Sequence, residues 1–151
     1  MLFRSLIMAN FNASCSGNFI NSLLALAEKG KQQLNFFFLF PLCPDDSECD
    51  WVDYIRGYGY EVFLFSEKES DEEKRRILFK IISEKHIDLL YNHFKLLDGI
   101  CLWDRELHSK VNILYHDHMD YLAEEPINPQ IKKQIKLAKR YREYEIGRAH
   151  V

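Results

Sequence analysis

Leu34-Asn35-Phe36-Phe37-Phe38-Leu39-Phe40 decides the fold. A strand with one wet face alternates apolar and polar side chains, and this one does not. From Phe36 onward every side chain is apolar, as expected for a strand covered on both faces. Such strands belong to parallel sheets with helices packed above and below.

The neighbouring sequence has the matching rhythm. Upstream, Leu2 to Ala9 reads as a first strand and Asn10 to Ser16 as a polar loop. Asn18 to Lys29 then places Phe19, Ile20, Leu23, Leu24, Leu26 and Ala27 at helical spacing, and Gly30 is a natural stop. Downstream, Pro41 to Asp46 is a loop by its prolines and aspartates. A helix is expected from about Ser47, capped by Asp46 or Ser47, to Tyr58, with Gly59 ending it. Glu61 to Phe65 is a third strand. The acidic stretch Glu67 to Glu73 leads into a helix from about Asp71 to Lys85, with Ile77, Leu78, Ile81 and Ile82 on one face. Ile87 to Tyr91 is a fourth strand ending at Asn92-His93. A helix from about Leu96 to Ser109 precedes a fifth strand, Val111 to Tyr115, which ends at His116-Asp117-His118. A basic amphipathic helix is expected from about Pro129 to Tyr144.

Strands alternating with helices of this length form a parallel sheet with right-handed crossovers. The fold class is therefore α/β, a Rossmann-like open parallel sheet of about five strands with helices on both faces. It is expected over residues 2–144 as one domain. Glu145-Ile146-Gly147-Arg148-Ala149-His150-Val151 reads as translated sequencing-adapter read-through, so residues 145–151 are expected to be a non-native tail and the gene to continue past Tyr144.

Composition narrows the function classes. A hydrophobic content of 47% and 14% aromatics across 151 residues suit a folded core. A net charge of -3 gives no electrostatic reason for nucleic acid as a partner. Cys15, Cys43, Cys49 and Cys101 make no CxxC pair and no zinc spacing, and are read as reduced thiols of a cytoplasmic protein. The longest apolar run is far below the roughly 20 residues a membrane span needs.

Ligands of open parallel sheets bind outside the carboxyl ends of the strands, near the point where strand order reverses. That rule singles out three polar segments. In the first, Ser16, Gly17 and Asn18 open a helix whose backbone N–H groups suit an anion or hydroxyl; plain capping is the alternative. The segment is not GxGxxG, which argues against a nicotinamide or flavin dinucleotide. In the second, Asn92 and His93 form a polar pair that could line a cleft, with helix capping by His93 as the alternative. In the third, His116, Asp117, His118 and Asp120 form the densest titratable cluster. These side chains suit sugar hydroxyls or phosphate, and the alternation of His116, His118 and Asp120 leaves a metal-dependent hydrolase as a lesser alternative.

With those segments in view, the chain resembles the amino-terminal domain of family 4-like, GT-B glycosyltransferases of bacterial polysaccharide synthesis. The resemblance rests on Ile7-Met8-Ala9-Asn10-Phe11-Asn12 through Ser16-Gly17-Asn18-Phe19, on Asp88 to His93, and on the fifth strand ending in His116-Asp117. It implies that His116 is the catalytic-cleft histidine that contacts the donor sugar or its phosphate. Ser16, Gly17, Asn18, Asn92, His93, Asp117 and His118 would be donor- or acceptor-binding. Ser16-Gly17 stands where the family commonly has paired glycines.

The partners so implied are a nucleotide-sugar donor, a saccharide or lipid-linked acceptor, and a missing carboxyl-terminal domain; no metal or other cofactor is called for. The fragment alone is expected to be inactive. The basic segment Lys132 to Arg142 is either a peripheral contact with anionic membrane or an ordinary solvated face. The rival reading is a flavodoxin-like domain that binds a small ligand.

Overall fold

The computed structural model describes residues 2–9, 17–93 and 96–116, with Gly17 and Asn18 described only as helix backbone. Ser16, Asp117, His118, Asp120, the basic segment Lys132 to Arg142 and the 145–151 tail lie outside the described residues.

Among the described residues, five strands and five helices follow in order: β1 (Phe3–Ala9), α1 (Gly17–Gly30), β2 (Leu34–Pro41), α2 (Asp50–Gly57), β3 (Val62–Phe65), α3 (Asp71–Lys85), β4 (Leu89–His93), α4 (Asp98–Trp103), α5 (Arg105–Lys110) and β5 (Asn112–His116). All pairings are parallel and the strand order is β3-β2-β1-β4-β5. The expected α/β, Rossmann-like parallel sheet is what forms. A flavodoxin-like sheet, with order 2-1-3-4-5, does not. The chain steps outward from β1 to β2 to β3, then crosses back to lay β4 on the other side of β1. The switch point therefore lies between β1 and β4.

Helices cover the two faces in turn. On one face Ile7, Ala9, Phe36, Phe38 and Phe40 pack against Ile20, Leu23, Leu24 and Ala27 of α1 and Val52 and Ile55 of α2. On the other, Lys85 and Lys74 of α3 lie over Phe63 and Phe65 of β3. Tyr115 of β5 donates to Asp98 of α4 on that same face. Phe36 to Phe40 are all buried, consistent with a strand covered on both sides. Burying a Phe or Leu side chain is worth roughly 1.5–3 kcal/mol, so these few residues hold the sheet between its helical layers. Among the described residues no helix is long and apolar enough to cross a membrane.

Four local expectations are corrected. β4 runs two residues further than its apolar run, because Asn92 and His93 pair with Met8 and Ala9 on one side and with Tyr115 and His116 on the other. The helix expected from Leu96 to Ser109 is two helices meeting at Asp104, whose carboxylate accepts from the Leu107 N–H and starts α5 anew. α2 begins after Cys49, not at Ser47. Asp45 instead holds the Ser47 N–H and hydroxyl in an Asx turn. Finally, Cys43 and Cys49 are joined as a disulfide rather than standing as separate thiols.

Candidate functional site

The site is built from the last residues of three adjacent strands. His93 is in register with Ala9 on one side and His116 on the other, so Ala9, His93 and His116 form a row across the carboxyl rim. Side chains alternate along a strand, so Tyr91 shares the face of His93. The Tyr91 and His93 rings lie 4.1 Å apart, those of His93 and His116 5.2 Å, and those of Tyr91 and His116 6.1 Å with near-parallel planes. Phe19, in the first turn of α1, meets His93 edge-on at 5.6 Å. The amino end of α1, including Gly17 and Asn18, is thereby brought to the same corner.

Burial grades across this row. His93 is buried, Tyr91 half-buried and His116 exposed. The Tyr91 hydroxyl lies 2.9 Å from His116 Nδ1. Partial burial pushes the Tyr91 phenol above its ordinary range, and which of the two groups donates depends on the His116 tautomer. In the tautomer whose Nδ1 accepts, the other ring nitrogen, Nε2, is a hydrogen-bond donor. Such a donor at an exposed strand end suits a hydroxyl or phosphate oxygen.

Asn92 faces the opposite way and is fully buried. Its amide donates to the Leu96 carbonyl at 2.8 Å and accepts from the Leu96 N–H at 3.1 Å. It shapes the turn after β4 and is not beside His93 and His116. His93 does not cap the next helix either, since Leu97 stands at the N-cap of α4. Cys101 is sealed below the same turn, its thiol near the Leu96 carbonyl and pushed up by burial, which makes it a poor nucleophile.

A cavity of 560 Å³ opens on the other face between the start of α3 and the turn after β4, lined in part by Glu67, Asp71, Lys74, Arg75, Leu97 and Asp98. Its two cations are engaged, Lys74 with Glu67 and Arg75 with Asp104 and Glu106. Among the described residues no three His, Cys, Asp or Glu side chains gather as a metal ion would require.

The sequence reading set His93, His116 and the start of α1 at carboxyl strand ends; the strand order brings His93 beside His116, with Phe19 of α1 against His93. It missed Tyr91, although spacing two residues before His93 in a strand was a sufficient signal. Comparison with protein-family models, with curated proteins and with solved structures gives no match. The functional reading therefore rests on the site itself.

Proposed function

We propose that the chain is the amino-terminal, acceptor-side half of a GT-B-type glycosyltransferase that moves a hexose from a nucleotide sugar to a polysaccharide or lipid-linked acceptor. The observation that carries this reading is the His93–His116 row with Tyr91 bonded to His116, beside the α1 amino end at the β1–β4 switch point. Open α/β sheets bind ligands at such a corner. A histidine there can hydrogen-bond a sugar hydroxyl or donor phosphate. In this reading a second domain holds the nucleotide and stabilises the leaving diphosphate, the largest electrostatic demand of the reaction. This reading puts the protein in the cytoplasm, with the basic segment Lys132 to Arg142 either a contact with anionic membrane near the acceptor or an ordinary solvated face.

The test uses the complete reading frame. Purified protein is supplied with nucleotide hexoses and lipid-linked acceptors, and sugar transfer is measured. His116→Ala should lower kcat/KM by about 10²–10³, the loss typical of removing one transition-state hydrogen-bond donor. Residues 1–144 alone should show no transfer. A reading frame that stops near Tyr144, or a His116→Ala enzyme with undiminished transfer, would overturn the proposal.

A further inference from the structure

The turn after β2 places two cysteines where they can be joined and separated without disturbing the sheet. β2 ends at Pro41, and the chain folds back through Cys43 N–H to Ser47 O at 2.9 Å and Asp46 N–H to Cys43 O at 2.8 Å. Asp46, at φ 60°, is held from outside the turn: Ser66 donates to it at 2.6 Å and Lys68 at 3.2 Å. The result brings Cys43 and Cys49 to a Cα–Cα distance of 6.3 Å with their sulfurs joined, inside the range a disulfide spans without backbone movement. Both cysteines are half-buried in an otherwise exposed loop, so a small thiol can reach them. Cys49 is also the N-cap residue of α2 and has no side-chain cap bond. Two residues on, the Trp51 ring meets Phe40 of the core edge-on at 4.6 Å.

We propose that Cys43 and Cys49 form a reversible redox site, in exchange with a small-molecule thiol couple of the glutathione type. In the reducing direction two thiols deliver two electrons and two protons. The Cys43–Cys49 bond breaks, each sulfur leaves as a thiol, and the two reductant sulfurs join as their own disulfide. The oxidising direction is the reverse. On the cytoplasmic reading proposed above, a disulfide is characteristically transient and redox-sensing, and the partial exposure of this pair favours exchange. The conformational consequence is local. The bond ties the end of β2 to the start of α2, and its loss frees the α2 amino end to fray up to Trp51.

The experiment equilibrates the full chain at graded ratios of reduced to oxidised glutathione, traps thiols with an alkylating agent, and maps them by peptide mass spectrometry. Emission of Trp51 is followed in a Trp103→Phe background. Cys43 and Cys49 should become alkylated together across the series, and Cys101, fully buried, only after denaturation. Trp51 emission should shift to longer wavelength along the same curve, and a Cys43→Ser/Cys49→Ser variant should give the reduced spectrum at every ratio. Four results would overturn the proposal: a bond that survives excess reduced glutathione, two free thiols in excess oxidised glutathione, pairing of either cysteine with Cys15, or a Trp51 spectrum indifferent to the state of the pair.

Discussion

The Tyr91 hydroxyl and His116 Nδ1 meet at 2.9 Å across two neighbouring parallel strands. Tyr91 is paired with Leu114, two residues before His116, so the phenol reaches forward along the rim to its partner. With Tyr91 as the donor, the His116 ring proton sits on Nε2. Long-range proton–nitrogen spectra should show the Nε2–H form near neutral pH. Tyr91→Phe should give a mixture of both forms while costing only about 1 kcal/mol of stability, the net worth of one hydrogen bond. An unchanged tautomer in the variant would contradict the assignment.

Asn92 is a test of the turn that carries the β4 end. Its amide satisfies both backbone groups of Leu96 in a buried setting. Replacing it with Ala leaves a buried N–H and a buried C=O without that partner, at about 1–3 kcal/mol each. Asn92→Ala should therefore lower the unfolding free energy by about 3 kcal/mol in urea titration. A loss below about 0.5 kcal/mol would show that the turn has another source of satisfaction.

How much of this was legible beforehand depends on the range of the interactions involved. Leu34 to Phe40 announced a two-faced strand because its signal is local, and the sheet followed from the helices around it. The extension of β4 through His93 was not legible, because it depends on pairing with Ala9 and His116, far away in sequence. Asp104 is a cap inside a continuous helical pattern, and only the observed restart of α5 shows that capping outweighed continuation. His116 and His93 could be nominated by their place at strand ends, whereas their adjacency is a consequence of strand order. The Cys43–Cys49 pair was hidden because six-residue spacing alone has no preferred geometry; the Asp46 anchor to Ser66 and Lys68 creates it.

Asp104 links the break between α4 and α5 to acid stability. Hydrogen bonding from Arg75, foremost, together with the Leu107 N–H, holds its carboxyl below the usual carboxylate range despite partial burial. The stabilisation is thus present above the ordinary carboxylate pKa of about 3.9 and is lost as pH falls through the lower, folded value. Asp104→Ala should cost about 1 kcal/mol at pH 7, a typical N-cap loss. Thermal melts of the two proteins should converge as the pH is brought below about 3. A gap that stays constant into acid would mean that the carboxylate's charge is irrelevant.

Tyr60 supplies the alkaline counterpart. Its hydroxyl donates to Glu28 Oε1 at 2.8 Å, while Lys31 donates to the other oxygen of that carboxylate at 2.8 Å. Burial, first, and the neighbouring negative charge raise the phenol to about 12. The folded state favours the protonated form, so its contribution is complete below the ordinary tyrosine pKa of about 10 and disappears as pH rises through about 12. Tyrosinate absorbance should therefore contain a late-titrating component that Tyr60→Phe removes. The variant should be less stable than wild type at pH 8, and the difference should shrink between pH 10 and 12, provided melts at these pH values remain reversible. If Tyr60 ionises near pH 10, the Glu28 bond does not hold its proton, and the packing of Tyr60 against Phe38 at 5.5 Å is what remains to fix the ring.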